Sequence, residues 1–177
     1  MASSNVAQNF TAESIVPESL DAAPDDQVTV VYPGNKTVLF NKLTPAEVRP
    51  QPEVSFNADP SQLYTLAMID PDAPSRATPT FREILHWLVV NVKGDDLSTG
   101  QTIATYRGSG APKGTGSHRY FFVVFHQPGP IAVAGNDLEA NRRNFSIRQF
   151  ALEHQLGNPI AGNFFQAEWD PSVPERR

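Results

Sequence analysis

The chain of 177 residues contains no cysteine. Disulfide bonds, thiolate zinc sites and catalysis by a thiol nucleophile are therefore excluded. The sequence also lacks any apolar run near the ~18 residues that cross a bilayer as a helix, so we predict no transmembrane segment. Residues 1–14 have neither the basic nor the apolar part of a secretory signal, which predicts a cytoplasmic protein.

Positive charge is scarce as well. Lys and Arg number 14 against 19 Asp and Glu, a formal net charge of −5. A protein that binds nucleic acid without regard to sequence is usually basic, because its contacts are to phosphates. We therefore predict no nucleic-acid partner and no strong attraction to anionic membranes. The length suits a single domain over residues 1–177, with residues 1–12 flexible.

The pattern of apolar residues predicts a mostly β protein with a few short helices. Apolar runs bounded by Pro, Gly and Asn predict strands at residues 28–32, 37–40, 54–56, 63–70, 84–92, 102–106, 120–126 and 163–169. Residues 33–36 predict a hairpin turn. A short helix is predicted to begin at Thr44, and a longer one at Ser146, where Ser146 and Gln149 have capping-box spacing.

Three of the predicted strands carry polar side chains among apolar ones. With alternating side chains, Asp70 shares a face with Tyr64, Leu66 and Met68, and His86 with Ile84, Leu88 and Val90. His118 and Tyr120 project the same way, with Phe122 and Val124 behind them. Burying polar groups is costly unless they find partners, so we expect them to meet at one end of the sheet.

A glycine-rich loop at residues 108–116 leads directly into the strand that carries His118 and Tyr120. Flexible backbone amides beside imidazoles and a phenol are what a small anion pocket needs. Ordinary structural roles remain open for each residue. Asp70 or Asp72 can hold a turn, and a histidine in a strand can simply be hydrogen-bonded.

Competing motifs fit less well. Residues 110–115 have the ingredients of a phosphate-binding P-loop in the wrong order, and a strand follows them instead of a helix. A serine hydrolase could use Ser109 with His118. Two histidines and a carboxylate could also bind a metal, but the glycine amides and Tyr120 suit an anion better than a cation.

Two stretches carry a resemblance to a known family. Asp70-Pro71-Asp72-Ala73-Pro74 with the strand to His86, and residues 108–120 with Gly116-Ser117-His118-Arg119, resemble the phosphatidylethanolamine-binding proteins, also called Raf kinase inhibitor proteins. The resemblance extends over nearly the whole chain. It implies a large central antiparallel sheet with a smaller sheet on one side and helices on the other.

The resemblance also implies a function. The protein is expected to be a monomeric, non-enzymatic binder of a phospholipid headgroup or phosphorylated side chain, without cofactor or metal, that regulates a kinase or protease partner. Its pocket would be formed by Asp70, His86, Gly110, His118 and Tyr120, with an apolar rim of Pro74, Phe81 and Pro112. A hydrolase using the same pocket, with serine or metal, is the alternative.

Roles for these residues follow from their chemistry. His86 and His118 can donate to an anion, Gly110 can offer its amide, and Tyr120 supplies a neutral donor. Asp70 would repel a dianion, so it would either hold a histidine in its donor tautomer or accept from a protonated ligand. Arg119 points to the opposite face, where Asp72 is its expected partner.

The sequence departs from the family pattern at one wall of the expected pocket. Animal members often carry Tyr, Trp and His where this chain has Phe81, Ile84 and Leu85. Family members also tend to have a cis bond before the proline at Pro74.

Overall fold

The computed structural model describes residues 2–133 and 137–173. The helices are α1 (Ala2–Ala12), α2 (Ile15–Glu18) and α3 (Ile147–Glu153). The strands are β1 (Asp26–Gln27), β2 (Thr29–Tyr32), β3 (Lys36–Thr37), β4 (Asn41–Lys42), β5 (Glu53–Ser55), β6 (Leu63–Asp70), β7 (Ile84–Lys93), β8 (Gln101–Ala104), β9 (His118–Gln127) and β10 (Ala161–Ala167). Among the described residues, no helix is long and apolar enough to cross a membrane.

The larger sheet positions the polar residues of interest. In the described part of the chain its order is β1-β10-β9-β6-β7-β8, and β4 also pairs with β10. The central pairs are antiparallel, whereas β1 and β4 run parallel to β10, so the sheet is mixed. The smaller sheet has the order β3-β2-β5 and includes the predicted hairpin around residues 33–36.

The larger sheet is apolar on both faces. One face packs against α1 and α3 through residues such as Phe10, Phe121 and Phe150. The other face packs against the smaller sheet through residues such as Tyr32 and Trp87. This arrangement of helices, large sheet and small sheet confirms the predicted fold class.

The helix predicted after Ser146 is present. The Ser146 hydroxyl accepts from the Gln149 amide at 3.1 Å, which satisfies one of the free donors at the start of α3. Ile147, Phe150 and Ala151 form its buried apolar face. Helix α3 ends at Glu153.

Two other local expectations differ from the structure. The capping-box hydrogen bonds between Thr44 and Glu47 form at 2.9 and 3.2 Å, but they close a turn and not a helix. Pro50 and Pro52 follow too soon for a helix to continue. Residues 2–12, expected to be flexible, form α1, in which Val6 and Phe10 are fully buried. Apolar residues four apart share one helix face, and this pair packs against the large sheet.

The expectation that His86 shares a face with Leu88 and Val90 is wrong. Met68 pairs with Trp87, whereas Ile69 pairs with Leu85, so His86 is the extra residue of a β-bulge. A bulge places two residues opposite one and reverses the alternation beyond it. Leu88 and Val90 consequently face the helices, and His86 lies against Tyr120 on the other side.

A buried ion pair ties the chain together on the helix side of β9. Asp72 Oδ2 accepts from both the amide and Nε of Arg119, each at 2.8 Å, and both side chains are fully buried. The guanidinium also donates to the Glu13 carbonyl and the Glu18 carboxylate. The predicted partnership of Arg119 with Asp72 is therefore present, and it extends to Glu13, between α1 and α2, and to Glu18 at the end of α2.

We predict that Asp72→Asn destabilises the protein by about 3–5 kcal/mol, because Arg119 is left as a buried, poorly compensated charge. Asp21→Asn is the matched control. Asp21 pairs with Arg148 at 2.8 Å, but its side chain is 72% exposed, so its loss should change stability far less. Urea unfolding followed by circular dichroism measures both, and equal changes would contradict the structural role of the buried pair.

Candidate functional site

All eight predicted site residues line one cleft of about 510 Å³ at the end of the larger sheet. It also contains residues that the sequence did not single out. The lining residues are Asp70, Ala73, Pro74, Phe81, Ile84, Leu85, His86, Arg107, Gly108, Gly110, Ala111, Pro112, His118, Tyr120, Ala140, Asn141, Arg142 and Arg143. That the eight contact a ligand stays a prediction.

The strands bring the polar groups to this cleft. Asp70 is the last residue of β6, His86 is displaced toward the cleft by the bulge in β7, and His118 and Tyr120 begin β9. Since β6 lies between β7 and β9, residues far apart in the chain meet at one end of the sheet.

The two ring nitrogens of His118 already have partners. Nδ1 lies 2.8 Å from Asp70 Oδ2, and Nε2 lies 2.9 Å from Thr115 Oγ1. The Thr115 hydroxyl also donates to the Pro112 carbonyl at 2.7 Å, so this chain links the glycine-rich loop to β9. Asp70 has a turn-holding role too, because its Oδ1 accepts from the Asp72 amide at 2.7 Å. His118 is thus engaged with the protein itself.

His86 differs, because one of its nitrogens is available. Its Nδ1 lies 2.9 Å from the Arg107 carbonyl, which can only accept, so Nδ1 carries the proton. Nε2 has no hydrogen-bond partner among the described residues and is left for a ligand. Burial lowers the pKa of His86, and the neighbouring Asp70 only partly offsets this effect. His86 is therefore neutral near pH 7 and presents a lone pair at Nε2.

Tyr120 provides a hydroxyl donor at the base of the cleft. Its oxygen accepts from the Ser109 hydroxyl at 2.9 Å, which leaves its own proton for a ligand. Burial raises the pKa of Tyr120 well above its ordinary value, and the nearby Asp70 carboxylate adds to the effect. The phenol therefore stays protonated at any physiological pH.

The glycine-rich loop is held close to a second segment of backbone. A β-carbon on Gly108 would lie 2.3 Å from the Val48 carbonyl oxygen, so only glycine fits there. This contact sets the height of the loop above the sheet and brings Gly110 to the edge of the cleft. The opposite edge includes Phe81 and Pro74, and the bond before Pro74 is cis, as the family resemblance implies.

Three arginines line the cleft, and sequence reasoning missed them. The buried Arg142 donates to the carbonyls of Leu85, His86 and Thr105 at 2.9–3.3 Å and pairs with Glu139 at 2.6 Å. Its role is to fix the segment around residue 142 against β7 and β8.

The other two arginines lie near the surface. Arg107 pairs with Glu139 at 3.4 Å, and the Arg143 guanidinium lies 4.4 Å from the centroid of the Phe81 ring. The sequence signal that could have found Arg142 and Arg143 is the Asn-Arg-Arg-Asn run at residues 141–144.

Glu83 anchors the wall between the cleft and α3. Its Oε1 accepts from the Ile147 amide at 2.8 Å, and its backbone pairs with that of Phe145 in both directions. The side chain is only 4% exposed. Burial raises the pKa of Glu83 to about 7, although the Ile147 amide opposes the shift.

The same fold occurs in known proteins. A model of the phosphatidylethanolamine-binding protein family matches residues 33–165, more than half of the chain. The chain belongs to this family. The matched range includes the strand ends at Asp70 and His86 and the whole glycine-rich loop.

Three similar proteins each match almost the full length of this chain. Putative odorant-binding protein A5 of Drosophila melanogaster is 38% identical over 176 residues, which are 97% of this chain and 84% of the relative. A carboxypeptidase Y inhibitor, solved in complex with its cognate proteinase, superposes with a TM-score of 0.80 at 25% identity, covering 95% of this chain and 97% of the inhibitor. The phosphatidylethanolamine-binding protein of Plasmodium vivax superposes with a TM-score of 0.72 at 24% identity, over 93% and 98%, and shows a shared fold.

These relatives are named as binding proteins or as an inhibitor. Within residues 2–133 and 137–173, no three His, Asp or Glu side chains are grouped to hold a metal ion. The Ser109 hydroxyl donates to Tyr120 and has no histidine as a base.

We predict that Glu83→Gln raises the free energy of unfolding above that of the unchanged protein, and that this gain is larger at pH 8 than at pH 5. An unfolded Glu loses its proton near pH 4.5, whereas folded Glu83 keeps it up to about pH 7. The folded state therefore binds the extra proton in this window, and stability falls as pH rises from about 4.5 to 7. Gln still accepts from the Ile147 amide and does not titrate, so the gain at pH 8 should be on the order of 2–3 kcal/mol.

Unfolding at pH 5 and pH 8 measures this gain. Glu153→Gln, at an exposed position of α3, is the control and should show no such difference. A Glu83→Gln variant with the same pH dependence as the unchanged protein would contradict the buried, protonated state of Glu83.

Proposed function

We propose that this protein binds a small phosphate-bearing ligand in the cleft, without chemical conversion, and through that site regulates a protein partner. The observation that carries the proposal is the unpaired Nε2 of His86 beside the free hydroxyl proton of Tyr120. The two rings are in edge-to-face contact with centroids 5.2 Å apart, so one ligand group can reach both. A ligand of one phosphate group matches this spacing of donor and acceptor.

The buried end of the cleft suits an oxygen-rich ligand group. Tyr120 donates, and neutral His86 accepts from a protonated phosphate oxygen or donates after it takes up a proton. The Gly110 amide region adds a polar backbone contact without a side chain in the way. Asp70 and His118 stabilise this arrangement, because they are hydrogen-bonded to each other.

The rim of the cleft suits the organic part of the ligand. Pro74, Phe81 and Pro112 present apolar surface around the polar base. Phosphoethanolamine, as in a phospholipid headgroup, and a phosphorylated serine share the same chemistry at this point: a phosphate monoester or diester on a short aliphatic stem. The proposal is for that shared group.

A hydrolase in the same cleft is the alternative that this geometry disfavours. A serine nucleophile needs a base within hydrogen-bond reach, and Ser109 donates to a phenol instead. A metal ligand needs a free lone pair, and both ring nitrogens of His118 are engaged. Binding without turnover is therefore the proposal, and release of inorganic phosphate from phosphoserine would overturn it.

The partner proposal rests on the relatives. One of them is an inhibitor in complex with its cognate proteinase. We infer that this chain likewise acts on a protein partner, a kinase or a proteinase, as a monomer in the cytoplasm. The net charge of −5 disfavours a partner that is a broad anionic surface, so recognition should depend on the cleft and its rim.

We predict that His86→Ala and Tyr120→Phe each weaken phosphoethanolamine binding by about 1–3 kcal/mol, the scale of one lost hydrogen bond to a charged group. Isothermal titration calorimetry measures the affinity. His126→Ala is the control, because His126 contacts Gln62 and Tyr64 outside the cleft and should leave the affinity unchanged. Unchanged phosphoethanolamine affinity in both cleft variants would show that the ligand binds elsewhere on the protein.

We also predict that affinity for the sulfate ester of ethanolamine rises as pH falls from about 8 to about 6. This ligand keeps its charge over that range, so a change reports on the protein. Since Nδ1 of His86 donates to Arg107, Nε2 can donate to an anion only after proton uptake. Asp70 favours that proton, whereas burial, Arg142 and His118 oppose it.

The pH dependence should disappear in His86→Ala and persist in His126→Ala. Affinity for the sulfate ester that is flat with pH in the unchanged protein would show that His86 stays neutral when the anion binds. His86 would then serve only as an acceptor from a protonated ligand.

A further inference from the structure

The buried groups at the bottom of the cleft carry no net positive charge. His86 carries no charge near neutral pH, and Tyr120 stays protonated. His118 Nδ1 and Asp70 Oδ2 lie 2.8 Å apart and are hydrogen-bonded. With Asp70 ionised, the net charge of this pair is therefore no greater than zero. The buried groups can orient an anion, but they do not supply the charge that would attract it.

The arginines around the cleft differ in whether their charge is already compensated. Arg142 lies 2.6 Å from Glu139 Oε2, and Arg107 lies 3.4 Å from the same atom. One carboxylate thus serves both. Arg143 makes no ion pair or hydrogen bond with any residue that the structure describes, and its recorded contact is with the face of Phe81.

Phe81 gives Arg143 a fixed place at the mouth of the cleft. A cation over an aromatic face is held by the ring's quadrupole, and the ring takes up none of the guanidinium's donors as an oxygen would. Both residues line the cleft that contains His86 and Tyr120. Asp70 is the one acid among its described lining residues, and it already faces His118.

We propose that Arg143 is the residue that makes this cleft select anionic ligands, with its guanidinium reaching from the rim to the same phosphate whose oxygens Tyr120 and His86 orient. This inference rests on the proposed function and adds its source of charge selectivity. A guanidinium fork donates two parallel hydrogen bonds to phosphate oxygens, which a neutral alcohol cannot match. The ligand class is therefore a phosphate monoester or diester whose charged group lies within reach of the rim.

The test compares the phosphoserine affinities of matched variants. Arg143→Gln should weaken phosphoserine binding about ten- to a hundredfold in calorimetry. Arg143→Lys should restore part of the loss, because the charge returns without the fork. Arg148→Gln is the control, since it removes an exposed charge that lies outside the cleft and pairs with Asp21 at 2.8 Å, and it should change affinity less than about threefold.

Three further readouts separate charge selection from a change in shape. Affinity for phosphoserine should fall with added salt in the unchanged protein and fall much less steeply in Arg143→Gln. Phe81→Leu keeps an apolar rim but removes the ring, so it should lower phosphoserine affinity and leave the melting temperature within a few degrees. Arginine side-chain resonances of Arg143 should shift when phosphoserine is added.

The outcomes distinguish the two proposals. If the unchanged protein binds phosphoserine and Arg143→Gln binds it equally well, the role of Arg143 is overturned and the binding function stands. If Arg143→Gln and Arg148→Gln lose the same affinity, the selectivity comes from general positive potential and the proposal also fails. If the unchanged protein binds neither phosphoserine nor phosphoethanolamine, the proposed function fails, and this inference fails with it.

Discussion

The buried guanidinium of Arg119 is the constraint around which the cleft is organised. A fully buried charge must be compensated, and Asp72, Glu18 and the Glu13 carbonyl supply the acceptors. Asp72 lies in the turn after β6, and Glu13 and Glu18 lie in the α1–α2 region, so compensating the charge at the start of β9 ties these three segments together. Asp70 and His118 flank this arrangement in sequence, and their position in the cleft follows from it.

The opposite face of the same strand ends carries the ligand-directed groups. Internal hydrogen bonds use up both nitrogens of His118 and one nitrogen of His86, which leaves a small number of atoms available: Nε2 of His86 and the hydroxyl proton of Tyr120. A site with few free polar atoms and an apolar rim is typical of selective small-ligand binding. At the rim, the Arg143 guanidinium lies over the Phe81 ring, and we propose this charge as the source of anion selectivity.

Much of the site was predictable because strands end where prolines and glycines interrupt them. Asp70 precedes Pro71, and His118 follows a glycine-rich loop, so both had to lie at sheet ends. The face of the sheet on which His86 lies was not predictable, because a bulge depends on how β7 pairs with β6 and not on β7 alone. The helix expected at Thr44 became a turn, since its capping bonds cannot outweigh two following prolines.

The sequence alone determined the strand-rich fold class, the family and the set of polar residues at the strand ends, because these depend on local patterns of apolar residues, turns and short motifs. Only the tertiary structure decided which of those polar atoms are free. Hydrogen-bond partners such as Thr115 for His118 and the Arg107 carbonyl for His86 come from the loops around the cleft. Arg143 reaches the cleft from a segment about seventy residues after Asp70, and such a meeting follows from packing, not from local sequence.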